Sequence, residues 1–253
     1  MSNDSAAIET QIQWGQSEAS ATIVCSDCSR NGKTLFAKLA ADLMKLRHGE
    51  PPHIFDTDDP DGGLATHFPD HSQVIDIART RQQVALFDGM LERRPEAGPR
   101  HYLIDLCARH FVKFFDIFSE IQFEDGAEAA ELDLTVFFLI DRTPDSIEAA
   151  AALSRTLSKT RFVTVRSSAI GDALSQGRCA DTYQAMRKER EILLPKLSSQ
   201  ALDMIEHPEF HFDLFLTGKY SHFPFMLRKE IWGFLESLYE QRDSVETGTT
   251  YPV

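Results

Sequence analysis

The sequence predicts one three-layer α/β/α domain built on a mostly parallel central sheet. Three observations carry this reading. Short apolar runs alternate with amphipathic, helix-length stretches over about 21–200, the order that packs helices on a parallel sheet. One run, LTVFFLI (134–140), is apolar throughout, as a strand buried on both faces must be. Another, ATIVC (21–25), leads through a polar loop into Gly32-Lys33-Thr34 and then at once into a helix-like segment, LFAKLAADLMKLR. At 253 residues the chain can bury one large core, and it shows neither an internal repeat nor a linker to a second domain. The expected domain covers 21–242, between a polar, acidic, mobile tail over 1–20 and a short tail over 243–253.

Taken in order, the first strand covers 21–25. The first helix runs from Lys33 to about Arg47, with Leu35, Leu39, Leu43 and Leu46 on one face, and stops at Gly49 and Pro51-Pro52. A short strand over 53–55 delivers Asp56. DTDDPDGGLATHFPDHSQ (56–73) is rich in turn formers and reads as a loop. A short strand is expected over 74–76, a helix over 79–93, a strand HYLID (101–105) ending at Asp105, and one continuous helix over 108–123. After the buried strand 134–140, Thr143 has the place of a helix N-cap and Pro144 that of the first helical residue. A strand over 161–165 follows. Beyond it the pattern is less regular: a charged helix over 181–192, the stretch ILLPKL, a helix near 199–206, HFDLFLTG, and a last amphipathic helix over 222–241.

Strand, loop, Gly-Lys-Thr and helix, in that order, form the setting of a phosphate-binding P-loop. Backbone N–H groups at a helix N-terminus attract anions. A lysine there reaches the terminal phosphates, and the Ser/Thr hydroxyl is a Mg²⁺ ligand. Asn31, Gly32, Lys33, Thr34 and Leu35 are therefore the candidate phosphate-binding residues. Asp105, after several apolar residues, has the form of a Walker-B carboxylate and joins Thr34 as a candidate Mg²⁺ ligand. Asp56 and Asp58, just past the second strand, are candidates for the γ-phosphate side. Together these residues specify a three-layer α/β/α P-loop NTPase fold. The match is incomplete, because Asp27 stands where the motif's first glycine belongs and puts a negative charge near the phosphates.

Composition narrows the function further. The formal net charge of −13 and the lack of any basic run argue against nucleic-acid binding through the bulk surface. No apolar run is long enough to span a bilayer, and the acidic N-terminus has the form of neither a signal nor a transit peptide. Trp14 is the one residue of the tail with the character to dock on the domain. Four cysteines do not suggest a disulfide framework, so the cytoplasm is the expected compartment. Cys25 and Cys28 form a C-x-x-C that Cys107 and His110 could join, but a second C-x-x-C is missing. The acidic loop lacks the glycine and bidentate glutamate of a calcium loop. In the last helix, Arg228 and Lys229 are offset by Glu230, Glu236 and Glu240. Core or dimer packing of Phe225, Ile231, Trp232, Leu235 and Tyr239 is expected there, rather than a membrane surface.

The succession GKT, DTDDPDGG, YLIDL and FFLIDRTPDS resembles the ParA/MinD-like branch of P-loop NTPases over about 20–200. The resemblance implies ATP and Mg²⁺ as cofactors, a homodimer closed through the nucleotide face, and slow hydrolysis. It also implies a protein partner and a task in positioning, partition, transfer or assembly of a larger object. Against the family's KGGxGKT loop, the lysine that crosses to the partner's nucleotide falls at Cys28, and the two glycines after it fall at Ser29 and Arg30. A thiol cannot replace a cation, which leaves Arg30 as the candidate stand-in, in the manner of an arginine finger. At the strand end where the family reads adenine, this chain has Arg166-Ser167-Ser168. Two other functions stay open at this stage: a catalytically inactive nucleotide-binding scaffold, and a small-molecule kinase or ligase on the same fold.

Overall fold

The computed structural model describes residues 18–29, 31–58, 60, 63–92, 100–175 and 178–247. Its strands are β1 (Ala19–Cys25), β2 (His53–Asp56), β3 (Ser72–Val74), β4 (Arg100–Asp105), β5 (Asp133–Ile140), β6 (Arg161–Ser167) and β7 (Glu191–Leu194). They form one sheet in the order β3-β2-β4-β1-β5-β6-β7, and every pairing is parallel. The helices are α1 (Lys33–His48), α2 (Thr80–Leu91), α3 (Phe111–Glu120), α4 (Phe123–Ala129), α5 (Pro144–Thr156), α6 (Ala180–Glu189), α7 (Ser199–Ile205), α8 (Phe212–Leu216) and α9 (Phe225–Thr247). Trp14 and the rest of 1–17 lie outside the described residues.

Two apolar clusters cover the two faces of the sheet. One joins Ile23, Cys25, Phe55, Ile104, Val136 and Phe138 to residues of α2 through α6. The other joins Val24, Ile54, Leu103, Phe137 and Leu139 to Phe36, Ala37, Ala40 and Ala41 of α1. The alternation follows from the two-residue period of a strand. It also means that β1 is followed by a helix on one face and its neighbour β4 by helices on the other. That reversal of winding opens a crevice at the carboxyl ends of β1 and β4, where open α/β sheets hold ligands.

Several details depart from the sequence reading. The leucine stripe of α1 does not face the sheet. Leu39, with Leu35 and Leu43 beside it, packs on α7, α8 and α9 in a third cluster, while Phe36 and the small Ala37, Ala40 and Ala41 lie against the strands. The expected helix over 108–123 is broken. Gln122 takes a left-handed conformation (φ 52°) and restarts the chain as α4. The strand expected over 74–76 pairs two residues earlier, and the stretch ILLPKL contributes β7, the edge strand beside β6. On α9, Ile231 and Leu235 are buried as expected, joined by Phe234, but Phe225 is 69% and Trp232 41% exposed. Phe225 is therefore not a core residue; it lies on the first turn, beyond the reach of the third cluster.

At the amino end of β4, the opposite end of the strand from the crevice, His101 is buried and its ring stacks on His48 at 3.5 Å. Burial, followed by the neighbouring His48 and Arg47, pushes its pKa down to about 4. The folded chain thus resists a proton that the unfolded chain takes up near pH 6.5. The stability this neutral ring carries is complete above pH 6.5 and is lost as pH falls from there towards 4. Asp105, raised to about 7, acts in the opposite sense over an overlapping window, so the test is a difference. His101→Phe is expected to lose less melting temperature between pH 7 and pH 5 than the unmodified chain does. An identical loss in both would show that His101 carries none of the pH dependence.

Candidate functional site

Parallel register brings the chemistry to one level of the sheet. Val24 of β1 stands beside Asp105 of β4, and Asp105 beside Asp56 of β2. The loop after β1 begins at Ser26, which is fully buried and donates its hydroxyl to the Leu139 carbonyl of β5 at 2.8 Å. The same hydroxyl oxygen accepts from the Cys28 N–H at 3.3 Å and from the Asn31 side-chain amide at 2.6 Å. Asn31 also donates to the Leu139 carbonyl at 3.1 Å. Ser26 and Asn31 therefore pin both ends of the loop to β5. Sequence reading had placed Asn31 in the phosphate cradle and had not singled out Ser26.

Gly32 closes the loop at φ 87°, a left-handed conformation that a side chain would strain, and its carbonyl takes the first turn bond of α1, from Phe36 N–H at 3.0 Å. No side chain caps α1 and no acidic residue occupies its first turn. The N–H groups there remain available, with the positive end of the helix dipole, to an anion. Lys33 folds back over the loop and donates to the Cys28 carbonyl at 3.1 Å. This uncapped helix end with a cation laid across the loop fits a phosphate group.

Asp27 does not face that end. Its carboxylate accepts from the Ser146 hydroxyl on the first turn of α5 at 2.7 Å. Ser146 in turn accepts from the Asp141 N–H, and Thr143 caps the helix by accepting from Ser146 N–H at 3.3 Å. The charge that stands in place of a loop glycine is thus held by a neighbouring helix N-terminus, where a carboxylate is stabilised.

The Thr34 hydroxyl lies near enough to the Asp105 carboxylate to favour its charged form. Asp105 is buried, and its carboxyl is pushed up to about 7, chiefly by burial and then by the charge of Asp56; Thr34 and Lys33 pull the other way. A carboxylate with this surplus of negative surroundings and a hydroxyl beside it suits a hard divalent cation. Asp56 is fully buried and differently employed. It accepts three backbone N–H bonds, from Asp58 at 3.0 Å, Leu64 at 2.7 Å and Ala65 at 2.9 Å. Asp58 is half exposed, paired with Arg109 at 3.2 Å and approached by the Cys107 thiol at 3.4 Å. Gly63 brings the same loop against α1, where a β-carbon would sit 3.4 Å from the Thr34 methyl.

Thr57 also went unnoticed in the sequence. It is fully buried between the ends of β2 and β4, donating to the Asp105 carbonyl at 3.2 Å and accepting from Cys107 N–H at 2.7 Å. A threonine in a turn-rich run carries no sequence signal for that role. Leu35 lines a cavity of about 250 Å³ with Gly32, Lys33, Thr34, Lys38 and His67, at the start of α1. Arg30, the candidate trans cation, lies outside the described residues. Arg166 is buried and turned inward, donating to the Gly171 carbonyl at 2.9 Å and lying 3.5 Å from Glu191. Cys25 belongs to the core, its thiol raised by burial, and the one group of donors that converges among the described residues contains no cysteine.

No family model matches the chain, and no curated protein does. Among solved structures the chain resembles the MinC:MinD cell division protein complex of Aquifex aeolicus, at 14% identity over 93% of this chain and 98% of that one, with a TM-score of 0.45.

Proposed function

We propose that the chain binds a nucleoside triphosphate, ATP by the sequence resemblance, and works as a slow, dimerising, ATP- and Mg²⁺-dependent switch. The single observation that supports this best is the uncapped N-terminus of α1, with Lys33 laid across the loop and the Thr34–Asp105 pair beside it. On this reading the N–H groups after Gly32 hold phosphate oxygens and Lys33 exchanges the Cys28 carbonyl for them. Thr34 and Asp105 are the residues that would hold Mg²⁺, which would supply charge neutralisation at the phosphates. Release of the Cys28 carbonyl removes one restraint on the loop between its Ser26 and Asn31 anchors.

Slow turnover follows from the side chains around that site. Hydrolysis needs a group that orients water and a cation on the developing charge. Asp56 is saturated by backbone N–H groups and Asp58 is held by Arg109, so neither offers an unengaged carboxylate. Cys28 offers no charge, and Arg30 is the remaining candidate cation. An electrostatic donor at such a site is worth ~10²–10³ in rate. Phosphate release by the purified chain is therefore expected to be very slow and to fall further in Arg30→Ala. Light scattering with a non-hydrolysable ATP analogue should report a weak dimer. Brisk hydrolysis that survives Arg30→Ala would defeat the switch reading as framed here. The same saturation of Asp56 favours, as a second reading, a scaffold that binds nucleotide without turning it over; binding with no phosphate release above background would select it.

A further inference from the structure

Eight residues beyond Thr34 along α1, about 12 Å away at 1.5 Å per residue, Asp42 meets the chain that enters α8. Asp42 is fully buried and Asp213 is 6% exposed. A donor atom from each of Asp42, His211 and Asp213 lies within 4.8 Å of the other two. The two carboxylates are each fixed by one oxygen. Asp42 Oδ2 accepts from the Phe212 N–H at 2.7 Å, and Asp213 Oδ2 pairs with Lys45 at 2.7 Å. Of the other two oxygens, Asp42 Oδ1 makes a hydrogen bond with His211 Nδ1 at 3.1 Å, which an ion would replace, and Asp213 Oδ1 is buried without a hydrogen-bond partner. A buried carboxylate oxygen without a donor points to a cation.

We propose that Asp42, His211 and Asp213 form a site for a divalent transition-metal ion of the Zn²⁺ class, separate from the phosphate loop. The donor set decides the class. One imidazole and two carboxylates suit zinc and its neighbours, whereas magnesium and calcium take oxygen alone. Donors about 2.1 Å from a common ion are at most about 4.2 Å apart, so the cluster tightens slightly around it. The outer contacts are those of a built site: Lys45 and the Phe212 N–H orient the two carboxylates through their other oxygens. His211 stays 18% exposed and supplies the way in. The metal takes the Nδ1 lone pair of the neutral His211 ring, whose proton then sits on Nε2; an imidazolium would release its Nδ1 proton to solvent, and a water completes the shell. The ion would staple the 207–216 segment to α1, the helix that starts at the phosphate loop.

Equilibrium dialysis of the untagged full chain, stripped with EDTA, against Zn²⁺ tests the proposal. One ion per chain is expected, with a rise in melting temperature of roughly 5 °C at saturating metal. His211→Gln and Asp213→Asn should lose both effects, and Lys33→Ala should keep them. Because either ligand variant could misfold, zinc X-ray absorption on the unmodified chain provides an independent readout: one imidazole with oxygen donors is expected. A lack of stoichiometric binding, binding retained in both ligand variants, or sulfur in the zinc shell would overturn the site.

Discussion

Lys33→Ala is expected to abolish the rise in melting temperature that ATP and Mg²⁺ confer on the unmodified chain. A ligand at about 100 times its Kd that binds only the folded state adds about 2.7 kcal/mol. For a domain of this size each kcal/mol moves the melting temperature by about 2–4 °C, so the unmodified chain should gain roughly 5–10 °C. Lys33 is the described cation that reaches across the loop, and its bond to the Cys28 carbonyl keeps it there before any anion arrives. Alanine leaves the helix N–H groups in place but removes the charge that makes phosphate preferable to water. ATP, ADP and GTP, each with and without Mg²⁺, should be compared in thermal melts of both proteins. A rise of the same size in Lys33→Ala would show that the phosphate site lies elsewhere, and the proposed function with it.

The second large effect is structural and falls on Asp56. Replacing it with alanine strands three N–H donors of the loop over 58–65, of which the Leu64 N–H is buried. Hydrogen bonds to a charged group contribute about 1.5–3 kcal/mol each, and part of that loss is recovered by water reaching the looser loop. A net destabilisation on the order of 3 kcal/mol is expected for Asp56→Ala. The melting temperature should then fall by about 6–12 °C without nucleotide. Asp56→Asn keeps an acceptor and should fall by less. Because Gly63 of this loop sits against Thr34, the variant should also weaken the Mg²⁺ dependence of nucleotide binding. A melting temperature unchanged in Asp56→Ala would mean that the carboxylate does not anchor the loop, and would free it for a catalytic role.

Lys33 and Asp56 differ in how far their surroundings were legible in the sequence. Gly32, Lys33 and Thr34 are legible because their placement is local: a left-handed glycine, a helix start and the residues of its first turn are set by neighbours in the chain. Asp105 is legible because the apolar run before it ends at a strand terminus, and parallel pairing places that terminus beside β1. The fold class is legible for the same reason, since alternating strands and helices have few ways to bury both faces of a sheet. The break at Gln122 and the edge strand β7 were not, because each depends on what packs against it.

By itself, then, the sequence determined the alternation of strands and helices, the glycine-closed start of α1, and the expectation that the lysine, threonine and aspartate around it bind nucleotide. The tertiary structure alone decided how the acidic residues are used. Asp27 is paired with Ser146, 119 residues away, Asp56 is consumed by its own loop, and Asp42 is joined to a segment 169 residues downstream. A carboxylate's chemistry is set by the donors and charges within a few ångströms of it, and those distances exist only once the chain has closed on itself.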